Sequence, residues 1–258
     1  MALQTESKIY TGIGLDFETG GLDSTKNGCT QIALQSIRLD TMETTDRYIA
    51  YIHPYAKQDI GGPAKRKVLK SRHEVLKDNN EMMEYEKVAL DYSGITMETL
   101  LNQGIDIKQL AQDIIDFVKR NTLSKGAQAK PLLIGQNITF DIGFLQQVMN
   151  YAGMVKEFEK VFAGKADFYG NFQPHYIDTI FITRLALAHN PSVTSYKLEL
   201  IAEHMGLELN DAHDADADVT ATLNIVRICA SRLRNTESGD ASSIGIQKNE
   251  KTRNHFKI

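Results

Sequence analysis

Apolar positions along the first fifty residues recur too closely for helices and are broken by turn-forming residues, which predicts strands. Tyr10 to Glu18 is short and apolar-rich and ends at Gly20-Gly21. Gln31 to Leu39 carries Ile32, Leu34 and Ile37 with imperfect alternation, and Arg47 to His53 forms a third run stopped by Pro54. Short polar connections between the three suit an antiparallel meander. From Asp106 onward the period changes. Ile107, Leu110, Ile114, Phe117 and Val118 fall at helical spacing, with Asp106 placed to cap. Leu132-Leu133-Ile134 reads as a buried strand feeding a helix with Phe140, Phe144, Val148 and Tyr151. Tyr176 to Thr179 reads as a strand running into a helix with Phe181, Leu185 and Leu187, and Leu198 to Met205 as a short helix. A final helix from near Asp216 is expected to bury Val219, Leu223, Val226, Ala230 and Leu233, with Arg227, Arg232 and Arg234 toward its C-terminal end. A meander followed by βα units predicts an α/β fold, a mixed sheet with helices packed on it.

Two stretches depart from this pattern. Residues 56–92 read as an insertion with its own helix, too poor in apolar residues for a core. Its part from Lys57 to Lys77 is basic, with a net of about +5, and Lys65-Arg66-Lys67, Lys70 and Arg72 are candidate phosphate contacts. After Asn235 the chain is polar, and 236–258 is expected to be a disordered tail behind a domain spanning 8–235.

Composition then narrows the class. The 258 residues carry 29 Lys+Arg against 33 Asp+Glu, a formal charge of −4, which argues against a general polycation. No apolar run approaches the roughly 18–20 residues of a membrane span, and Met1 to Tyr10 has no apolar secretory core. Cys29 and Cys229 stand too far apart in sequence to suggest a disulfide framework or a zinc site. A cytoplasmic protein without a membrane partner is expected.

Carboxylates gather at three predicted element ends: Asp16-Phe17-Glu18, Asp141, and the run Asp211 to Asp218. Residues two apart in a strand project to one face, so Asp16 and Glu18 can address one site while Phe17 packs behind. Singly, each group has an ordinary explanation: Asp141 can balance a helix dipole, and Asp211, Asp214 and Asp216 can cap or solvate a loop. Converging, they would need a counter-charge, and hard cations such as Mg²⁺ or Mn²⁺ favour such oxygen ligands. His53, His73, His175, His189 and His204 show no ligand-like spacing, and Gly12-x-Gly14 is not followed by the helix that a dinucleotide loop requires.

In order and context, Asp16-Phe17-Glu18-Thr19-Gly20-Gly21-Leu22, Asn137-Ile138-Thr139-Phe140-Asp141-Ile142-Gly143-Phe144-Leu145, and His213 with Asp218 resemble three motifs of one family. It is the DEDDh-type 3′→5′ exonucleases of the DnaQ-like, ribonuclease H-like superfamily, which includes the epsilon proofreading subunit of bacterial DNA polymerase III and ribonuclease T. The resemblance spans about residues 8–234, and Ala89 to Ile95 resembles the segment after the third strand in those enzymes. It implies a five-stranded mixed sheet and a two-metal site. Asp16 would bridge two Mg²⁺ or Mn²⁺ ions, Glu18 and Asp218 would complete the site of the attacking water, and Asp141 would help hold the second ion. His213 would be the general base. Thr19 and Gly20 would meet the terminal nucleotide, and Asn137 and Phe140 would shape the site. A sister branch has tyrosine four residues before the last aspartate; Asp214 stands there, so the histidine branch fits better. Gly20 replaces a second threonine of many relatives. The implied reaction trims single-stranded 3′ ends to nucleoside 5′-monophosphates, with DNA favoured over RNA. The alternatives are an RNA 3′-end-trimming exoribonuclease and a module associated with a DNA polymerase.

Overall fold

The computed structural model describes residues 8–58, 81–207 and 214–234. The basic run 65–72, His213 and the tail 236–258 lie outside the described residues. Three antiparallel strands open the fold: β1 (Thr11–Thr19), β2 (Cys29–Arg38) and β3 (Thr44–Tyr51). Strand β4 (Leu132–Gly135) pairs parallel to β1. A short hairpin, β5 (Gly164–Ala166) with β6 (Phe172–Pro174), precedes β7 (Tyr176–Asp178), which pairs parallel to β4. The main sheet has the order β3-β2-β1-β4-β7, the mixed five-stranded arrangement expected.

Helices α1 (Lys87–Ser93) and α2 (Met97–Gln103) follow β3. Then come α3 (Ile107–Arg120), α4 (Thr139–Ala152), α5 (Val155–Val161), α6 (Thr179–Leu187), α7 (Leu198–His204) and α8 (Ala215–Arg234). Asp106 does cap α3, its carboxylate accepting from the Lys108 N–H. The pattern of apolar residues had not separated out α2, α5 or the β5–β6 hairpin, all three residues or two turns long.

Alternation along the strands sends side chains to two cores. Ile13, Leu15, Phe17, Ile32, Leu34 and Leu133 pack with α3 and α4, while Ala33, Ile37 and Ile134 meet Val219, Leu223 and Val226 of α8 on the other face. Strand β2 is buried on both faces, which explains its imperfect alternation. Gly14 faces α8: a Cβ there would lie 2.8 Å from Val219 Cγ1, so the missing side chain lets the helix settle on β1. A third cluster joins Leu187, Leu198 and Ile201 to Ala221, Ile225 and Cys229 on the outer side of α8.

The expected burial fails at some positions. Leu233 is exposed at the last turn of α8, beyond the sheet, and Ala230 is only partly covered. Phe181 and Leu185 are exposed because α6 turns only its Thr179, Thr183 and Leu187 side fully inward.

Within 56–92, the described ends are woven into the fold. The Lys57 N–H donates to Glu81 O, Met83 N–H to Tyr55 O, and Glu84 N–H to Lys26 O. Met83 is buried and accepts a contact from the Tyr151 hydroxyl. Met83 and, in part, Tyr85 thus pack into the main core, and α1 follows directly.

Candidate active site

Strand β1 places Asp16 and Glu18 on the face turned to α8, opposite Ala33 and Gln31 of β2. Beyond Glu18 the pairing skips Thr30, so that Thr19 faces Cys29, a bulge at the strand's end. Asp218 projects from the first turn of α8. One oxygen from each of Asp16, Glu18 and Asp218 can be chosen such that all lie within 4.8 Å of one another. Asp141, in the first turn of α4, is buried beside them, and its Oδ1 accepts the Phe17 N–H at 2.9 Å.

Several residues without a motif of their own hold this arrangement. Buried Gln31 reaches the start of α8: its Nε2 donates to Asp214 Oδ2 at 3.3 Å, and its Oε1 accepts from the Ala215 N–H at 3.2 Å. Asp214 caps the helix, Oδ1 accepting from the N–H groups of Asp216 and Ala217. Asp216 turns away to Arg47 at 3.0 Å and to Gln35 Nε2 at 2.8 Å. Capping and pairing therefore account for both residues; Asp211 lies outside the described residues. Asp178 ties two neighbouring elements, its Oδ1 accepting from Asn137 N–H at 3.2 Å and Ile180 N–H at 2.9 Å. Asn137 itself is left-handed, φ 53°, a conformation asparagine tolerates, and it turns the chain from β4 into α4.

The carboxylates crowd one another. Burial first, then the charges of Asp141, Asp218, Glu18 and Asp214, holds the Asp16 carboxyl well above its ordinary range. Burial, with Asp218 and Asp214, raises Glu18 to about 7. Burial raises Asp141 to about 8 against the opposing Phe17 hydrogen bond. Groups that resist ionising together, with oxygens this close, match the donor set of a hard divalent cation.

These residues open onto a cleft of about 670 Å³. Asp16, Glu18, Asp141 and Asp218 line it with Asn137 and Phe140 from the expected set, and with Phe17, Tyr92, Gln136, Arg184, Tyr196 and Lys197. Phe140 also packs on Phe144, ring centroids 5.1 Å apart. Thr19 and Gly20, expected to meet a nucleotide, do not line the cleft. The Thr19 hydroxyl donates to Gly21 O at 2.7 Å, and the Gly20 backbone is bonded to Gly28 O and the Glu86 N–H. A signal for Gln31 and Gln35 was present in the sequence, since two amides four apart in a buried strand need partners. Arg184 and Tyr196 carry no local motif, and the fold alone brings them to the cleft; Tyr92 lies in the stretch Ala89 to Ile95 that the family resemblance includes.

The RNase_T exonuclease family model matches residues 64–226, a stretch that includes Asp141 and Asp218 and begins after Asp16 and Glu18. A curated relative, the 3′-5′ exonuclease DinG of Staphylococcus aureus, is 26% identical over 129 residues, covering 50% of this chain and 11% of that protein. Escherichia coli exonuclease I in complex with a dT13 oligonucleotide superposes with a TM-score of 0.59 at 18% identity, over 87% of this chain and 42% of that one. The zinc-bound form of its complex with single-stranded DNA gives a TM-score of 0.58 at 18% identity, over 88% and 41%. The present chain thus spans less than half the length of these relatives, and at such identities the structural likeness is one of fold. With the family model covering more than half of its residues, the chain belongs to the exonuclease family and carries the DnaQ-like, ribonuclease H-like fold.

Proposed function

We propose that the protein is a divalent-metal-dependent 3′→5′ exonuclease that trims single-stranded nucleic acid, DNA in preference to RNA, to nucleoside 5′-monophosphates. The observation that carries this reading is the convergence of Asp16, Glu18 and Asp218 within 4.8 Å beside buried Asp141. Aromatic residues and cations share the cleft with these carboxylates, the combination suited to single strands. The single-stranded DNA in the exonuclease I complexes, and the zinc in one of them, favour the same substrate class and a metal requirement.

Asp16, Glu18 and Asp218 would hold one Mg²⁺ or Mn²⁺, and Asp16 with Asp141 a second. When bound, such a pair supplies an activated water and charge stabilisation for in-line phosphoryl displacement. The chain's own residues do the rest. Phe17 N–H fixes the Asp141 carboxylate, and Gln31 and Asp214 fix the helix start that presents Asp218. His213, next to Asp214 in the chain, would accept the proton of the attacking water, as an imidazole with a reference pKa of about 6.5 can near neutrality. The ring of Phe140, which lines the cleft, offers a face to the terminal base. A cytoplasmic setting suits two buried, unpaired cysteines.

The test is digestion of matched 3′-labelled DNA and RNA oligonucleotides, single- and double-stranded, with Mg²⁺, Mn²⁺ or EDTA. Label is expected as 5′-mononucleotide, fastest from single-stranded DNA, and not in EDTA. Asp16→Ala and His213→Ala should each slow release by orders of magnitude. Full activity of Asp16→Ala would overturn the mechanism, and faster digestion of RNA would reassign the substrate.

A further inference from the structure

Besides the acidic cluster, the cleft is lined by α6 and the segment before α7. Ile180, Arg184, Thr194, Ser195, Tyr196 and Lys197 line it. The guanidinium carbon of Arg184 sits over the Tyr196 ring, 5.2 Å from its centroid. Tyr196 is fixed from behind: Gln136 Nε2 donates to Tyr196 O at 2.6 Å, and the Thr179 hydroxyl donates to Gln136 and to Gly135 O. The platform under Arg184 is therefore tied to the end of β4, the strand that leads into Asn137 and Asp141. Among the described residues Arg184 has no carboxylate partner, although its side chain is exposed and Glu199 lines the same cleft.

An arginine seated over an aromatic face loses rotamer freedom, and its fork matches the oxygens of a phosphate. The same cleft holds the carboxylates and Arg184, so it offers a path from the terminal linkage to the next phosphates. On the strength of the nuclease reading above, we propose that Arg184, seated on Tyr196, binds the backbone phosphate one linkage inward from the scissile one. Its role is to hold the strand while the terminal linkage is cut. A purely structural Arg184, covering Tyr196, would make no such contact.

The experiment measures binding separately from cutting. Anisotropy of a 5′-labelled single-stranded DNA oligonucleotide is followed across salt with Ca²⁺ in place of Mg²⁺, for the full chain and its variants. Arg184→Ala should weaken binding about tenfold, the scale of one charge-assisted contact. It should also flatten the slope of log Kd against log salt by about 0.7, the loss of one single-strand phosphate contact. Arg184→Lys should recover the slope but not the full affinity. A neutral methylphosphonate at the second linkage from the 3′ end should produce the same loss in the wild type and no further loss in Arg184→Ala. Unchanged affinity and slope in Arg184→Ala, additive losses, or no binding by the wild type overturns the assignment. Binding that depends on Arg184, together with no release of a 3′ label in Mg²⁺ or Mn²⁺, instead overturns the nuclease reading and leaves the phosphate contact standing.

Discussion

The backbone N–H of Phe17 donates to the Asp141 carboxylate across 2.9 Å, joining the strand that carries two of the clustered acids to the helix that carries another. Because the contact is buried, its two functions separate on substitution. Asp141→Asn keeps an oxygen acceptor and should unfold at nearly the wild-type urea midpoint while losing metal-dependent turnover. Asp141→Ala leaves the N–H unsatisfied and should cost about 1–3 kcal/mol as well. Equal stability of the two variants would show that the hydrogen bond contributes nothing.

Raised carboxylate pKa values fix the sign of the pH dependence. Glu18, lifted to about 7, and Asp141, lifted to about 8, favour the protonated fold. Stability from this source is complete below the ordinary carboxylate range and is lost as pH climbs through about 7 and about 8. The metal-free protein should therefore melt at lower temperature at pH 8.5 than at pH 5.5. Mn²⁺ should raise the melting temperature more at the higher pH, with protons released on binding. Scanning fluorimetry in two buffers decides it; a metal-free protein that gains stability toward pH 8.5 contradicts the electrostatic account.

Gln31 clasps the first turn of α8, and through it Asp218. Gln31→Ala should cost about 1–2 kcal/mol, as a lost helix cap does, and weaken Mn²⁺ binding measured by calorimetry. Gln31→Glu would keep the acceptor for Ala215 but set a carboxylate against Asp214, a defect that lowering the pH should relieve. Unaltered metal affinity in both variants would leave Gln31 without a positioning role.

Introducing at position 20 the threonine that the family resemblance implies should harm this protein. A Cβ on Gly20 would lie 2.8 Å from Glu84 O and 2.8 Å from Tyr85 Cδ1. Gly20→Thr should destabilise by about 1–3 kcal/mol, the scale of overpacking, without improving KM for an oligonucleotide. A stable variant with lower KM would show that residues 84–85 yield to make room.

The architecture was readable where periodicity and chemistry coincide. Asp16 and Glu18 share a face because strands have period two, and Asp106 caps α3 as a short acceptor before an amphipathic run should. Periodicity placed Asp141 and Asp218 at helix starts, and only the family resemblance placed them beside Asp16, since their closeness depends on the parallel pairing of β1 with β4 and on α8 settling over Gly14. That Thr19 would meet the terminal nucleotide was implied only by the family resemblance; in the fold it follows a bulge and its hydroxyl donates to Gly21 O. Leu233 was expected inside because apolar spacing does not say where the sheet beneath a helix ends. Arg184 and Tyr196 are twelve residues apart with no motif between them, so only the folded chain makes them neighbours.

The clasp between Lys57 and Glu81, reinforced by Tyr55 with Met83, brings the two sides of the chain excursion to adjoining points beside the sheet. The two ends are held by backbone hydrogen bonds among the described residues, so their closeness does not rest on side-chain packing alone. The hydrogen bonds at the clasp thus hold residues 55–57 and 81–83 side by side where the chain leaves and rejoins the sheet that carries the acids.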